Sequence, residues 1–327
     1  MSIVHQVVPR SARKFARKIS DIIYLSRLKF LTGAKAYLGM RASKVIYYES
    51  GGSNFGDVLN EHMLRYFHCP FVKVRGIVKW HPHLWDALCI GSILQCLLDS
   101  HFLYANQNKP IEKPITVFGS GFIRKEEEQR ECFVRPVNIV ALRGRLSQQR
   151  CERILKRSLQ HIALGDPGLL IRRMFPVDLS RKLFDVGIIY HCSETKEMPG
   201  LEKIKLRHKN YTIIDIRGGV NEVVSQIAKC RFILSSAMHP LICADSLGIP
   251  NRHMIVSDLV EGGTYKFRDY YSVFPGFQYE PLIMAQEERI TDERIDALIA
   301  EYSIKQYQID NICDQLEAVF PLPTYRK

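Results

Sequence analysis

The sequence predicts an α/β protein built as two Rossmann-like domains that face each other across a cleft. Three observations carry this reading. The chain has 327 residues, more than twice the ~150 residues of a typical domain. Short β-rich runs alternate with segments whose apolar residues recur at helical spacing. The alternation pauses after Gly165-Asp-Pro-Gly168 and then restarts, so two consecutive βαβ arrays follow one another.

In the first array, Lys44-Val-Ile-Tyr-Tyr48 reads as a strand and Glu49 to Asn54 as a Gly-rich loop. Asp57 to Phe67 then reads as a helix with Val58, Leu59, Met63, Leu64 and Phe67 on its apolar face. Strands are expected at Asp86–Ile90, Ile115–Phe118 and Asn138–Leu142, each followed by small or polar turn residues, and a helix at Gly144–Leu155. In the second array, strands at Asp185–Tyr190, Tyr211–Ile216 and Arg231–Leu234 are separated by helix-length segments such as Val220–Lys229. A Thr-Asp-Glu cap signal at Thr291 opens a terminal helical region that runs to Phe320. The expected organisation is an arm over 1–43, Rossmann-like domains over 44–175 and 180–285, and a C-terminal helical region over 286–327.

With 46% hydrophobic and 24% charged residues the chain is ordinary for a globular protein. No apolar run reaches the ~18 residues that a membrane-spanning helix needs. The nine cysteines are odd in number and scattered, with no Cys-x-x-Cys pair, which points to a reducing cytoplasm and not to a disulfide framework. The histidines lack metal-ligand spacing, so no metal and no cofactor is expected.

The net charge of +12 is unevenly placed. Residues 1–44 hold ten Lys/Arg against one acid, Asp21, leaving 36 basic and 33 acidic side chains for the rest. On a helix, Phe15, Ile19, Ile22, Ile23 and Phe30 project from one face and Arg13, Lys14, Arg17 and Arg27 from the other. Such a helix over residues 10–35 can lie on an anionic membrane surface, or pack on the body with its basic face solvated. No aromatic-interleaved basic patch or finger motif accompanies it, which argues against nucleic acid as a partner.

The motifs with chemical potential fall at strand ends. Gly51-Gly-Ser-Asn-Phe-Gly-Asp57 leads into a helix, so its N–H groups can cradle an anion at the positive end of the dipole. Alternatively, Asn54 and Asp57 are a turn residue and a helix cap. The glycines around Ser120 in Phe118-Gly-Ser-Gly-Phe122 let a ligand approach the backbone, or simply make a tight turn. Arg143, Arg145 and Ser147 sit where strand gives way to helix, a place for bidentate phosphate or carboxylate binding, with one of the arginines expected at the surface. Ser235, Ser236 and His239 follow a strand and precede a helix from Leu241; the serines can bind oxyanions and the histidine can donate or accept a proton, or be structural. Lys266 and Arg268, downstream of Glu261-Gly-Gly263, form an anion clamp or a solvated loop.

Taken together, these residues resemble a known family. Asn54-Phe55-Gly56-Asp57, Gly119-Ser-Gly121, Leu142-Arg143-Gly144 with Ser147, Gly165-Asp-Pro167, Asp185-Val-Gly187 leading to His191, Ser235-Ser236 with His239, Gly248-Ile-Pro250 and Lys266-Phe-Arg-Asp-Tyr-Tyr271 occur in the order seen in the polysaccharide pyruvyl transferases. The match spans about residues 44–275 and is most similar to the branch that forms pyruvate ketals on bacterial exopolysaccharides. The resemblance implies a GT-B-like fold, with an acceptor-side domain first and a donor-side domain second, and phosphoenolpyruvate as co-substrate. The implied partner is an oligosaccharide or lipid-linked glycan, and with the basic segment 10–35 the expected location is the cytoplasm or the inner face of the cytoplasmic membrane.

By the same resemblance His239 is the general acid and Arg143 a donor-phosphate contact, with Ser235, Ser236, Lys266, Arg145 and Arg268 around the donor. Asp57 is the candidate base for the acceptor hydroxyl, and Asn54, Gly56, Ser120 and His191 line the cleft. One departure stands out: many members carry Arg-Leu before the histidine, where this chain has Ala237-Met238, so Lys266, Arg268 or Arg145 must supply the missing cation. Two other readings are a GT-B glycosyltransferase using a sugar nucleotide and a silent scaffold of a polysaccharide assembly complex.

Overall fold

The structure, a computed structural model, describes residues 43–46, 54–74, 86–98, 112–125, 131–194, 210–287 and 289–322. The expected basic arm over 10–35 and the start of the Gly-rich loop at Gly51 to Ser53 lie outside them. Two parallel sheets form the frame. The first holds β1 (Ser43–Ile46), β2 (Phe71–Val74), β3 (Ala87–Leu88), β4 (Ile115–Ser120), β5 (Val137–Leu142) and β6 (Ala163–Leu164), in the order β2-β1-β3-β4-β5-β6. The second holds β7 (Phe184–Ile189), β8 (Tyr211–Ile213), β9 (Cys230–Ser235), β10 (Asn251–Ile255) and β11 (Leu282–Ile283), in the order β11-β10-β9-β7-β8.

Both orders share one feature that positions the site. The chain starts in the interior of each sheet, winds to one edge and then returns to build the other side. The reversal falls between β1 and β3 in the first sheet and between β7 and β9 in the second. In doubly wound sheets the connecting segments diverge there, leaving a crevice beyond the carboxyl ends of the strands. Ile115, Val117 and Phe118 of β4 and Phe232, Ile233 and Leu234 of β9 are buried, as parallel sheets covered on both faces require.

The helices are α1 (Phe55–Tyr66), α2 (Arg145–Leu155), the short α3 (Ile171–Met174), α4 (Val220–Ala228), α5 (Met238–Ser246), α6 (Tyr265–Tyr271), α7 (Asp292–Glu301) and α8 (Gln306–Ala318). Three of them differ from expectation. Helix α1 begins at Phe55, two residues early, because the Asn54 side chain accepts from Gly56 N at 3.2 Å and caps it. Helix α5 begins at Met238, so His239 lies inside its first turn and not ahead of it. Lys266 and Arg268 belong to a helix, α6, and not to a loop.

The two halves share a core in which Phe55, Leu59 and Met63 of α1 join Leu169 and Leu170 and Met238, Leu241 and Ile242 of α5. The terminal region is divided between them: α7 lies against β10, whereas α8 crosses back to β6 and the turn at Pro167–Leu170. Arg173 ties α8 down through Asp314 and Glu317, both at 2.7 Å, and the Phe320 ring stacks on Phe67 at 3.7 Å. A second junction is sterically tight: a Cβ on Gly144 would lie 1.7 Å from the Asp269 carbonyl oxygen, so only glycine lets α2 and α6 meet this closely.

Candidate active site

Four segments converge on His239. Strand β9 and the turn Ser235-Ser-Ala237 deliver it to the first turn of α5. One edge of its ring lies on the backbone of Gly56, where a Cβ would be 1.9 Å from Nδ1 and 2.3 Å from Cε1. Its Nε2 faces Asp166 Oδ2 at 4.0 Å, across from the turn that follows β6. His191, at the end of β7, is a third neighbour. The His239 side chain keeps 12% of its surface exposed. Burial, reinforced by Arg143, Lys266 and His191, pushes its pKa down to about 3, so the imidazole is neutral. Burial has the opposite effect on Asp166, raising its pKa to about 6 against the Gly168 N–H, which donates to Oδ1 at 2.9 Å.

The cation of this crevice is Lys266. It is 7% exposed and makes no hydrogen bond or ion pair among the described residues; its Nζ stands 5.6 Å from the centre of the Phe267 ring. Burial first, with Arg143 nearby, lowers its pKa to about 8 against the opposing pull of Glu261 and Glu194. It depresses His191 in turn, whose pKa falls to about 4 through burial first and Lys266 second, while Nδ1 pairs with Ser193 Oγ at 2.7 Å. Glu261 and Glu194 favour the charged form from beyond ion-pair distance, and a buried ammonium that no carboxylate reaches directly stays costly until an anion arrives to offset it.

Several residues expected at the donor are engaged elsewhere. Arg143 has no exposed surface: Nε donates to Asp269 Oδ2 at 3.0 Å, Nη1 to Ser92 Oγ at 2.6 Å and Nη2 to the Phe122 carbonyl at 2.6 Å. Arg143 thus serves as an internal brace between the halves, with its guanidinium nitrogens engaged by protein groups. Ser235 turns its hydroxyl onto Ala237, and Ser236 bonds Glu194 while accepting from His191 N at 2.8 Å, so neither hydroxyl is offered to an oxyanion. Arg145 is exposed, held to the Ser272 carbonyl at 3.1 Å, and turned to a groove shared with Ile162, Tyr307 and Gln308 of the α2 and α8 side. Arg268 projects into solvent from the face of α6 opposite Lys266. Of the three candidate replacements for the missing arginine, only Lys266 is in the crevice.

On the first sheet, the Ser120 hydroxyl donates to the Gly91 carbonyl at 2.8 Å and is fully buried. Asn54 is half-buried, as a cap. Asp57 is buried, with Oδ1 beside Gly91 in the loop after β3, at the reversal point of that sheet. Sequence reasoning missed Asn60, whose Nδ2 donates to the Ile90 carbonyl at 3.0 Å and whose Oδ1 accepts from Ile90 N at 2.8 Å, holding α1 to that loop. It also gave no role to Asp166, Glu194 or Asp269. Asp166 sits within a quoted motif, but its neighbour His239 is far away along the chain. Among the described residues no group of three or more His, Cys, Asp or Glu could hold a metal ion. None of the helices described is long and apolar enough to cross a membrane.

Two doubly wound parallel sheets, with a neutral histidine in the first turn after β9 and a buried lysine on α6, define an α/β protein of two Rossmann-like halves. Residues 54–258, more than half of the chain, match the polysaccharide pyruvyl transferase family, and the chain belongs to it. An uncharacterized protein of Acanthamoeba polyphaga mimivirus is 31% identical over 129 residues, covering 36% of this chain and 42% of that relative, so the chain matches less than half of its length. An uncharacterized protein of Klebsiella pneumoniae superposes with a TM-score of 0.39 at 13% identity, over 79% of this chain and 97% of the other. The wall teichoic acid polymerase TagF superposes with a TM-score of 0.31 at 11% identity, over 95% and 99% of the two chains.

Proposed function

We propose that the protein transfers the pyruvyl group of phosphoenolpyruvate to two hydroxyls of one sugar in a polysaccharide repeat unit, forming a ketal and releasing phosphate. The observation that carries this reading is the buried Lys266 ammonium, which makes no direct ion pair among the described residues, beside the neutral imidazoles of His239 and His191. Phosphoenolpyruvate brings a carboxylate and a phosphate, and seating them near Lys266 gives a partly compensated buried cation a direct ion pair. The same negative charge offsets the cations that depress His239, so its pKa rises as the donor binds and the proton for the reaction is loaded by the substrate itself.

The step then balances. His239 gives a proton to the methylene carbon, and positive charge develops at the carbon bearing phosphate. One sugar hydroxyl adds there and loses its proton to a base, for which Asp57 is the candidate. The carbon–oxygen bond to phosphate breaks, and the second hydroxyl closes the ketal as its proton leaves. Asn54 and Gly56 shape the wall of the crevice on the acceptor side. The acceptor is a lipid-linked glycan at the cytoplasmic leaflet, to which the basic segment 10–35 brings the enzyme.

The test is release of inorganic phosphate from phosphoenolpyruvate in the presence of lipid-linked repeat-unit glycans, with thermal shifts measured in parallel against uridine and guanosine diphosphates. Stabilisation by phosphoenolpyruvate and acceptor-dependent phosphate release are expected. Stabilisation by a nucleoside diphosphate alone, without phosphate release, overturns the donor and points to a sugar nucleotide.

A further inference from the structure

We infer that Asp166 is a positioning residue for His239, forming with it a carboxylate–imidazole pair in which Asp166 fixes the ring's tautomer and leaves Nδ1 to exchange the proton with substrate. The inference rests on the proton-transfer role proposed for His239 above, and it begins from two atoms. His239 Nε2 and Asp166 Oδ2 are each fully occluded, neither has a hydrogen-bond partner among the described residues, and they face one another at 4.0 Å. Two buried, unsatisfied polar atoms at that separation are costly apart. A movement of ~1 Å brings them to the ~2.8 Å of a charge-assisted hydrogen bond.

The other Asp166 oxygen is already fixed. Oδ1 accepts from Gly168 N at 2.9 Å, which caps the turn Pro167–Leu170 and leaves the carboxyl only one free edge, the one aimed at His239. That turn packs against α5, the helix that carries the histidine, so both partners rest on rigid elements. An imidazole whose Nε2 faces only a carboxylate oxygen carries its single proton there. Nδ1 then presents a lone pair on the edge that lies along Gly56. When Nδ1 gains a proton, the ring becomes an imidazolium whose Nε2–H points at Asp166, and the carboxylate offsets the charge that burial opposes.

The charged groups around the two partners act differently on each. Arg143 at the end of β5, Lys266 on α6 and His191 after β7 disfavour the imidazolium. Around Asp166, Arg143 favours the carboxylate while Asp269 disfavours it. Asp166 is the acid that faces Nε2, so it is the group able to counter the three cationic or ionisable neighbours of the ring.

The tautomer can be read without any substrate, by two-bond proton–nitrogen correlations of His239 in protein labelled with 15N-histidine and assigned with H239Q. The wild type is expected to show the Nε2–H form at pH 8, and Asp166→Asn the Nδ1–H form, because the amide keeps the Gly168 bond yet can offer N–H to Nε2. In the same variant kcat is expected to fall ~10²–10⁴-fold, the range for a disabled proton-transfer group, with KM for phosphoenolpyruvate unchanged. A wild-type Nδ1–H tautomer overturns the pair, and this measurement stands even if D166N fails to fold. An unchanged tautomer in folded D166N also overturns it. A tautomer that switches while neither protein releases phosphate upholds the pair and overturns the donor reading instead.

Discussion

Gly56 and His239 meet backbone to ring: a Cβ on the glycine would lie 1.9 Å from the imidazole Nδ1. The N-terminus of α1 from the first half is thereby seated on the first turn of α5 from the second. Gly56→Ala must push the imidazole aside, since the colliding methyl stands on α1 backbone. Turnover is expected to fall ~10²–10⁴-fold, as for loss of the proton-transfer group itself. G56A combined with H239A should be no worse than H239A alone, measured as a double-mutant cycle in kcat. Fully additive losses would separate the two residues.

Lys266→Met is expected to raise KM for the anionic donor and to change the pH profile. In the free enzyme the ammonium, lowered to about 8, loses its proton as pH rises through that value. Anion affinity is thus present below pH 8 and lost above it, so wild-type kcat/KM declines on the alkaline side. The variant should be low throughout and lack that limb. Retention of the alkaline limb in K266M assigns it to another group.

Arg143→Met should act first on stability. The guanidinium is fully buried against Asp269, which also accepts from Ser147 N at 2.8 Å and Ser147 Oγ at 2.6 Å. Removing one partner of a buried pair costs about 3–5 kcal/mol, readable as a lower urea midpoint. Asp269→Asn in the same chain should recover part of the loss. A variant with wild-type stability and only a raised KM would restore Arg143 as a direct donor contact.

Asp245 gives a pH-dependent stability with a defined sign. It is buried in α5 and accepts from Asn251 Nδ2, Tyr270 OH and Tyr302 OH at 2.6, 2.7 and 2.8 Å. Burial outweighs these bonds and raises its pKa to about 7. The folded state therefore holds a proton between about pH 4 and 7 that the unfolded chain has released. The stabilisation is present below pH 4 and is lost as pH rises to 7. The stability of the wild type minus that of Asp245→Asn, from denaturant curves across this window, should fall with rising pH; a flat or rising difference refutes the assignment.

Deletion of residues 1–40 should abolish co-sedimentation with anionic liposomes and lower activity on a lipid-linked acceptor, while activity on a soluble sugar analogue survives. Binding of the full chain should weaken with salt. A truncated protein that unfolds instead makes the segment a packed structural helix.

Much of this architecture was legible in the sequence, because strand and helix periodicity and the glycines at strand ends are local signals. Phe232-Ile-Leu234 followed by Ser235 to His239 announces a buried strand and a junction, and β9 and α5 lie there. The short strands Phe71–Val74, Ala163–Leu164, Asn251–Ile255 and Leu282–Ile283 were not foreseen. Two residues carry no periodicity, and His253 in β10 looks out of place in a strand until Phe267 stacks on its ring at 3.6 Å.

What the sequence by itself determined is the set of groups brought to the strand ends: a histidine, two arginines, a lysine, serines and carboxylates on two doubly wound arrays. Tertiary structure alone decided which of them face the crevice. Arg143 is turned inward by Asp269, 126 residues away, and Ser236 is engaged by Glu194, 42 residues away. Lys266 is left without a hydrogen bond among the described residues, and Asp166 is brought opposite His239. Propensity and pattern act over a few residues, whereas burial and the choice of hydrogen-bond partner depend on which distant segments share the crevice, and those two quantities set whether a charge serves the fold or a ligand.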